Sequence, residues 1–161
     1  LGWSHMQYQG RIADVLTDAG HEVHVLIFEQ SPLLGNYNGT NRSQKVIRIP
    51  RREEKKNEML KMSFMADQFA GSNNMLLSGM MADFNRFSAD YCDELLTDHQ
   101  ELLESLEKEQ YDVGISEFFD LCMFGVFHKI GVKTKLASYA ITMNSWAAYH
   151  FGISQISSYV T

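Results

Sequence analysis

Ser4-His5-Met6-Gln7-Tyr8-Gln9-Gly10-Arg11-Ile12-Ala13-Asp14-Val15-Leu16, followed by Gly20-His21-Glu22-Val23-His24-Val25-Leu26, reads as a helix running into a strand. Tyr8, Ile12, Val15, Leu16 and Ala19 recur at helical spacing, Gly20 supplies a left-handed stop, and Val23, Val25 and Ile27 then alternate as a strand does. The reading puts His5 at the start of a helix. In an open α/β sheet those first residues lie outside the carboxyl end of the preceding strand, where ligands collect. A helix that buries one face normally has such a strand beside it, and no residue before Leu1 supplies one, so the chain is expected to be a fragment.

With 161 residues, 45% hydrophobic and 21% charged, there is material for one domain with a real core and too little for two of ordinary size. The net charge of −6 argues against nucleic acid as a partner, because phosphate binding needs clustered Lys and Arg. The one basic cluster, Arg48 to Lys56, is interleaved with Glu53 and Glu54 and is expected to be a solvated loop. No run of about 18 apolar residues is present to span a bilayer, and no charged-then-apolar leader. Cys92 and Cys122 lack a metal-type spacing and read as core thiols. Asn38-Gly39-Thr40 and Asn41-Arg42-Ser43 are adjoining glycosylation sequons in a polar loop, which favours a secretory lumen.

Along the chain, the spacing predicts a strand over 21–28, a long exposed loop over 31–43 and a brief β-branched strand at Val46–Pro50. A charged helix is expected to begin at Arg51 and continue through Phe69. From Met75 to Gln110 the positions Leu77, Met80, Met81, Phe84, Phe87, Tyr91, Leu95, Leu102, Leu103 and Leu106 keep the step of one buried helical face, with a break near Thr97-Asp98 and the intervening acids and lysine facing water. A strand over 111–117, a helix over 118–130 and a strand over 134–139 then complete β-α-β, with connections short enough for parallel pairing. The alternation is that of a doubly wound α/β domain, and Glu117 falls on the same sheet edge as His5. The stretch from Ile141 to Thr161 is aromatic without a clean period and has no closing signal, so this end too is expected to be cut.

A histidine and a carboxylate on one edge are the minimum for general-base catalysis in which the acid orients the imidazole. Here the pair is His5 and Glu117. A lone histidine at a helix start also serves as a cap or a surface residue, and a glutamate after a strand is commonly just exposed. The other histidines have no partners at metal-ligand spacing beyond His21 and His24, so no metal site is assigned. Neither GxGxxG nor GxxxxGK[ST] occurs, so no phosphate cradle is assigned either.

Three stretches together resemble one family. Leu1-Gly2-Trp3-Ser4-His5-Met6 with Gly10 to Leu16 and Ala19 to Leu26 is similar to the opening of the UDP-glucuronosyltransferases, most closely their nematode members. Tyr111-Asp112-Val113-Gly114-Ile115-Ser116-Glu117-Phe118-Phe119-Asp120-Leu121-Cys122 resembles their "FDVVIADAFDPC" strand and turn, and Ser157-Ser158-Tyr159-Val160-Thr161 their "PSYVP". The matches fall in family order from one end of the chain to the other.

The resemblance implies a Rossmann-like parallel sheet with flanking helices, with residues 1–161 forming most of the N-terminal, acceptor-binding half of a two-domain GT-B fold. It implies UDP-sugar as co-substrate with no further cofactor, glucuronosyl or glucosyl transfer with inversion to a hydroxyl of a small lipophilic acceptor, and His5 as base. The family's aspartate falls on Glu117, one methylene longer. Ser4 would lie near the donor diphosphate, and Met6, Phe118, Phe119, Met143, Trp146 and Phe151 would line the acceptor pocket, although each could equally be plain core. The endoplasmic reticulum lumen, a C-terminal membrane anchor outside this chain, glycosylation at Asn38 and Asn41, and homo- or hetero-oligomers are further implications. Two other readings stay open: a shortened homologue that binds an apolar ligand or pairs with a full-length transferase without catalysis, and an unrelated flavodoxin-like domain.

Overall fold

The computed structural model describes residues 2–30, 32–57, 74–119, 121–141, 143, 148–149 and 151–154. The first element, α1, is Trp3–Asp18. It ends where Gly20 takes φ +92°, and the His21 amide reaches back to the Leu16 carbonyl at 3.1 Å, closing the last turn. Strand β1 (His24–Glu29) follows, and β2 (Lys45–Pro50) pairs with it in parallel from His24↔Lys45 to Glu29↔Pro50. The β-branched Val46, Ile47 and Ile49 suit that half-buried surface. Pro50 takes the last register position, where a missing N–H costs least.

The second half repeats the plan. Helices α2 (Asn74–Asp98) and α3 (Gln100–Lys108) are separated at His99, whose backbone leaves the helical region at φ −120°, ψ 34°. Then come β3 (Val113–Glu117), α4 (Leu121–Lys129) and β4 (Thr134–Ser138), with β3 and β4 parallel from Val113↔Thr134 to Glu117↔Ser138. The strands form two parallel pairs, β1 and β2 joined by the 31–43 loop and β3 and β4 by α4, and α1 lies against both β1 and β3; parallel strands with flanking helices make this the expected Rossmann-like α/β architecture. The core is built from Phe87, Tyr91 and Leu95 of α2, Leu103 and Leu106 of α3, and Met123 and Val126 of α4. Ile49 enters it from β2, and Phe28 of β1 stacks on Tyr91 at 5.5 Å, so the first strand pair shares the same core.

Several expectations are corrected. Cys92 and Cys122 are not free thiols but a disulfide joining α2 to the first turn of α4. A bond between two helices leaves no spacing signature, because the fold and not the sequence interval brings the sulfurs together. The basic stretch is no solvated loop either. The Arg51 side chain is fully buried, with Nε and one terminal nitrogen 3.3 and 3.2 Å from Glu94 of α2, which is itself buried, and with Asp90 at 2.9 Å. Glu94 therefore does not face water, and its second oxygen takes the Arg52 amide while the Arg52 guanidinium grips Asp98 with two bonds. Pairing and hydrogen bonding together make burial of such charges tolerable. The helix expected from Arg51 is replaced over 53–55 by a single 3-10 turn, Glu53–Lys55; residues 58–73 lie outside the described residues.

The loop over 31–43 is not simply exposed. Thr40 is buried and donates to Asp14 Oδ1, which also accepts the Asn41 and Arg42 amides at 3.0 Å each. The Thr40 hydroxyl holds the Asp14 carboxyl below its ordinary range, against the opposing effect of burial, and the two amides add to it. A depressed folded-state pKa stabilises above the unfolded value of about 3.9 and is lost as pH falls through the folded value. Stability should therefore drop as pH is lowered below about 4, and urea titrations of Asp14→Ala should show both a lower midpoint and a weaker acid dependence. Peptide mapping without reductant should recover Cys92 and Cys122 in one linked species. Replacing both by alanine should cost about 3 kcal/mol, typical for a loop of this size, by urea denaturation.

Candidate functional site

The first turn of α1 and the carboxyl ends of β3 and β4 meet at one edge. The helix starts after Gly2, which lies in the extended region. His5 and Gln9 are one turn apart and share a face. His5 Nδ1 lies 2.6 Å from both oxygens of Glu117, the last residue of β3, and the Gln9 amide donates to the hydroxyl of Ser138, the last residue of β4. One helical face is thus fastened to the ends of both strands.

Glu117 is 1% exposed and His5 21%, so the carboxylate is sealed while the imidazole keeps an opening to solvent. Besides His5, Glu117 Oε1 accepts the Ala140 amide at 3.3 Å. Because the partner is a carboxylate, Nδ1 carries the proton and donates, which leaves the Nε2 lone pair for an incoming proton. The extra methylene of glutamate over aspartate still gives direct contact. Chemically the pair is an oriented imidazole base with its charge partner, separated by 112 positions in the chain.

Aromatic rings border it. Phe119 meets the His5 ring edge-on at 6.3 Å and lies 5.3 Å from Tyr139, which stacks on Phe118 at 5.6 Å, and Phe118 contacts Phe151 at 5.1 Å. Tyr139 Oη is buried and, among the described residues, has no hydrogen-bond partner. A buried unpaired group of this kind typically costs about 1–3 kcal/mol.

A family model described as "UDP-glucoronosyl and UDP-glucosyl transferase" matches residues 2–161. The chain belongs to this family. It is similar to human UDP-glucuronosyltransferase 3A2, 26% identical over 99% of this chain and 29% of that protein. It is 32% identical to the putative UDP-glucuronosyltransferase ugt-48 of Caenorhabditis elegans, over 98% of this chain and 30% of that protein. With bovine UDP-glucuronosyltransferase 3A1 the identity is 29%, over 99% of this chain and 29% of that protein. The chain thus spans about three-tenths of the length of these relatives. No solved structure matches it significantly.

Within this UDP-glycosyltransferase chain, the residues nominated from sequence separate into groups. His5, Glu117, Phe118, Phe119 and Phe151 are linked by the contacts above. Met6 is partly buried on α1, with its carbonyl against Gly39, while Ser4 and Met143 are exposed and Trp146 lies outside the described residues. The sequon asparagines differ: Asn38 Oδ1 accepts from Arg48 at 2.8 Å, whereas Asn41 is exposed. Sequence reasoning missed Gln9, Ser138 and Tyr139. The interval from His5 to Gln9 held a signal for the first; the other two declare themselves only through contacts across the sheet.

The position of α1 depends on a close approach. A Cβ on Gly10 would overlap the Gly39 carbonyl, and Gly39 itself, at φ +74°, would overlap the Met6 carbonyl if it carried one. Gly10→Ala should therefore destabilise by about 1–3 kcal/mol, as overpacking does, and should shift the NMR signals of the His5 ring as α1 is displaced. An unaltered urea midpoint would show that the loop yields freely.

Proposed function

We propose that residues 1–161 are the acceptor-binding N-terminal part of a GT-B UDP-glycosyltransferase in which His5 is the base. The 2.6 Å contact between His5 Nδ1 and the buried Glu117 carries this reading. Nε2 takes the proton of an acceptor hydroxyl as its oxygen attacks the anomeric carbon of the sugar; the bond to UDP breaks with the electron pair leaving on the phosphate, and the configuration inverts. Glu117 holds the ring and balances the imidazolium that forms. Glucuronosyl or glucosyl is the sugar transferred, and small lipophilic molecules are the acceptors, as the aromatic border favours. Ser4, at the exposed start of α1, faces the donor side, and Met6, Phe118, Phe119, Met143, Trp146 and Phe151 contribute to the acceptor pocket.

The donor half of the site belongs to the part of the protein outside these residues, so the isolated chain should bind acceptor without transferring sugar. The Cys92–Cys122 bond favours an oxidising compartment, in line with the endoplasmic reticulum lumen and with a glycan on the exposed Asn41. Among the described residues no helix is long and apolar enough to cross a membrane, so attachment would be through another segment.

The complete protein, screened with UDP-glucuronic acid and UDP-glucose against a panel of phenols and steroids, should transfer sugar. His5→Ala should abolish transfer while circular dichroism shows an intact fold, and Glu117→Gln should slow it by about 10²–10⁴. Full activity in His5→Ala would remove His5 as base, and an unchanged rate in Glu117→Gln would reject the pairing.

A further inference from the structure

The aromatic border holds one polar atom that the proposed transfer leaves unused. Tyr139 follows β4 directly, its ring set against Phe118 and Phe119, and its hydroxyl is buried without a partner among the described residues. Glu117 does not take that proton. Its Oε1 already accepts from His5 and the Ala140 amide, and its Oε2 from His5. Burial and then the charge of Glu117 raise the Tyr139 pKa above its ordinary value, so the group stays protonated across the neutral range and keeps a hydrogen to donate. Buried donors are nearly always paired, so an unpaired one in the aromatic border is a place for a partner to enter.

The chemistry of that group is limited on two sides. The Glu117 carboxylate nearby repels an anion, which leaves an uncharged oxygen. Phe119 touches the His5 ring edge-on at 6.3 Å and the Tyr139 ring at 5.3 Å, so an aromatic side chain links the two and favours an aromatic ligand. We propose that Tyr139 is a specificity-determining residue that donates a hydrogen bond to a neutral carbonyl or ether oxygen of an aromatic acceptor, selecting molecules that carry this second oxygen besides the hydroxyl to be conjugated. The inference rests on the acceptor-site reading above and narrows its substrate class.

The test uses the complete protein, wild type and Tyr139→Phe, titrated by intrinsic fluorescence without sugar nucleotide. The ligands are hydroxylated aromatic ketones of one-ring and two-ring length and the analogues lacking the carbonyl oxygen. Wild type should bind the better-fitting ketone at least about fivefold more tightly than its analogue, the scale of one hydrogen bond to a buried donor, and Tyr139→Phe should bring that ratio to about one. A ratio near one in wild type, which decides the matter even if the variant fails to fold, or a ratio that survives in Tyr139→Phe, would overturn the assignment. Transfer rates with UDP-sugar are measured separately: discrimination in binding without transfer sinks the transferase reading and keeps Tyr139, and transfer without discrimination does the reverse.

Discussion

The contact between His5 and Glu117 is the constraint around which the described part of the molecule is arranged. One member sits in the first turn of α1 and the other at the end of β3, and both must be held to within a few tenths of an ångström for a hydrogen bond of 2.6 Å. The helix meets that demand at three places. Gln9 ties it to Ser138 of β4, the Gly10–Gly39 approach fixes its height over the 31–43 loop, and Asp14 gathers Thr40, Asn41 and Arg42 one turn further on. These attachments are spread over roughly half the circumference of the helix, so α1 has little freedom to roll or slide.

The carboxylate side is fastened differently. Turn residues Phe118 and Phe119 lead from β3 into α4, and the start of α4 is bonded to α2 through Cys122 and Cys92. The same helix receives Arg51 through Glu94 and Asp90, which couples the end of β2 to the core. A long helix that contacts water on one side therefore also anchors the two strand pairs, one by a covalent bond and the other by buried charge.

Period and punctuation made the elements legible. Gly20 ended α1 as expected, the face running from Phe84 to Leu106 is the buried one wherever it is described, and the break falls at His99, one residue beyond Thr97-Asp98. The convergence of His5 and Glu117 on one edge followed from strand–helix alternation, since parallel βαβ units put successive strand ends on the same side. Side-chain chemistry across elements was not legible. Nothing local distinguishes Arg51 from its neighbour Arg52, yet one is buried and the other exposed; the difference lies in which of them faces Glu94. The sulfurs of Cys92 and Cys122 and the hydroxyl of Ser138 likewise acquire meaning only from distant partners.

Of the residues in α1, only Gly10, Ala13 and Asp14 are buried, whereas the hydrophobic interior is assembled from α2, α3, α4 and β2. Detaching this helix thus exposes far less apolar surface than melting the interior, and such a partial opening is cheaper than global unfolding. The His5–Glu117 pairing and the integrity of the core are therefore carried by different parts of the molecule. Amide protection along α1 sets the ceiling on the lifetime of that pairing, independently of how firmly the remainder holds.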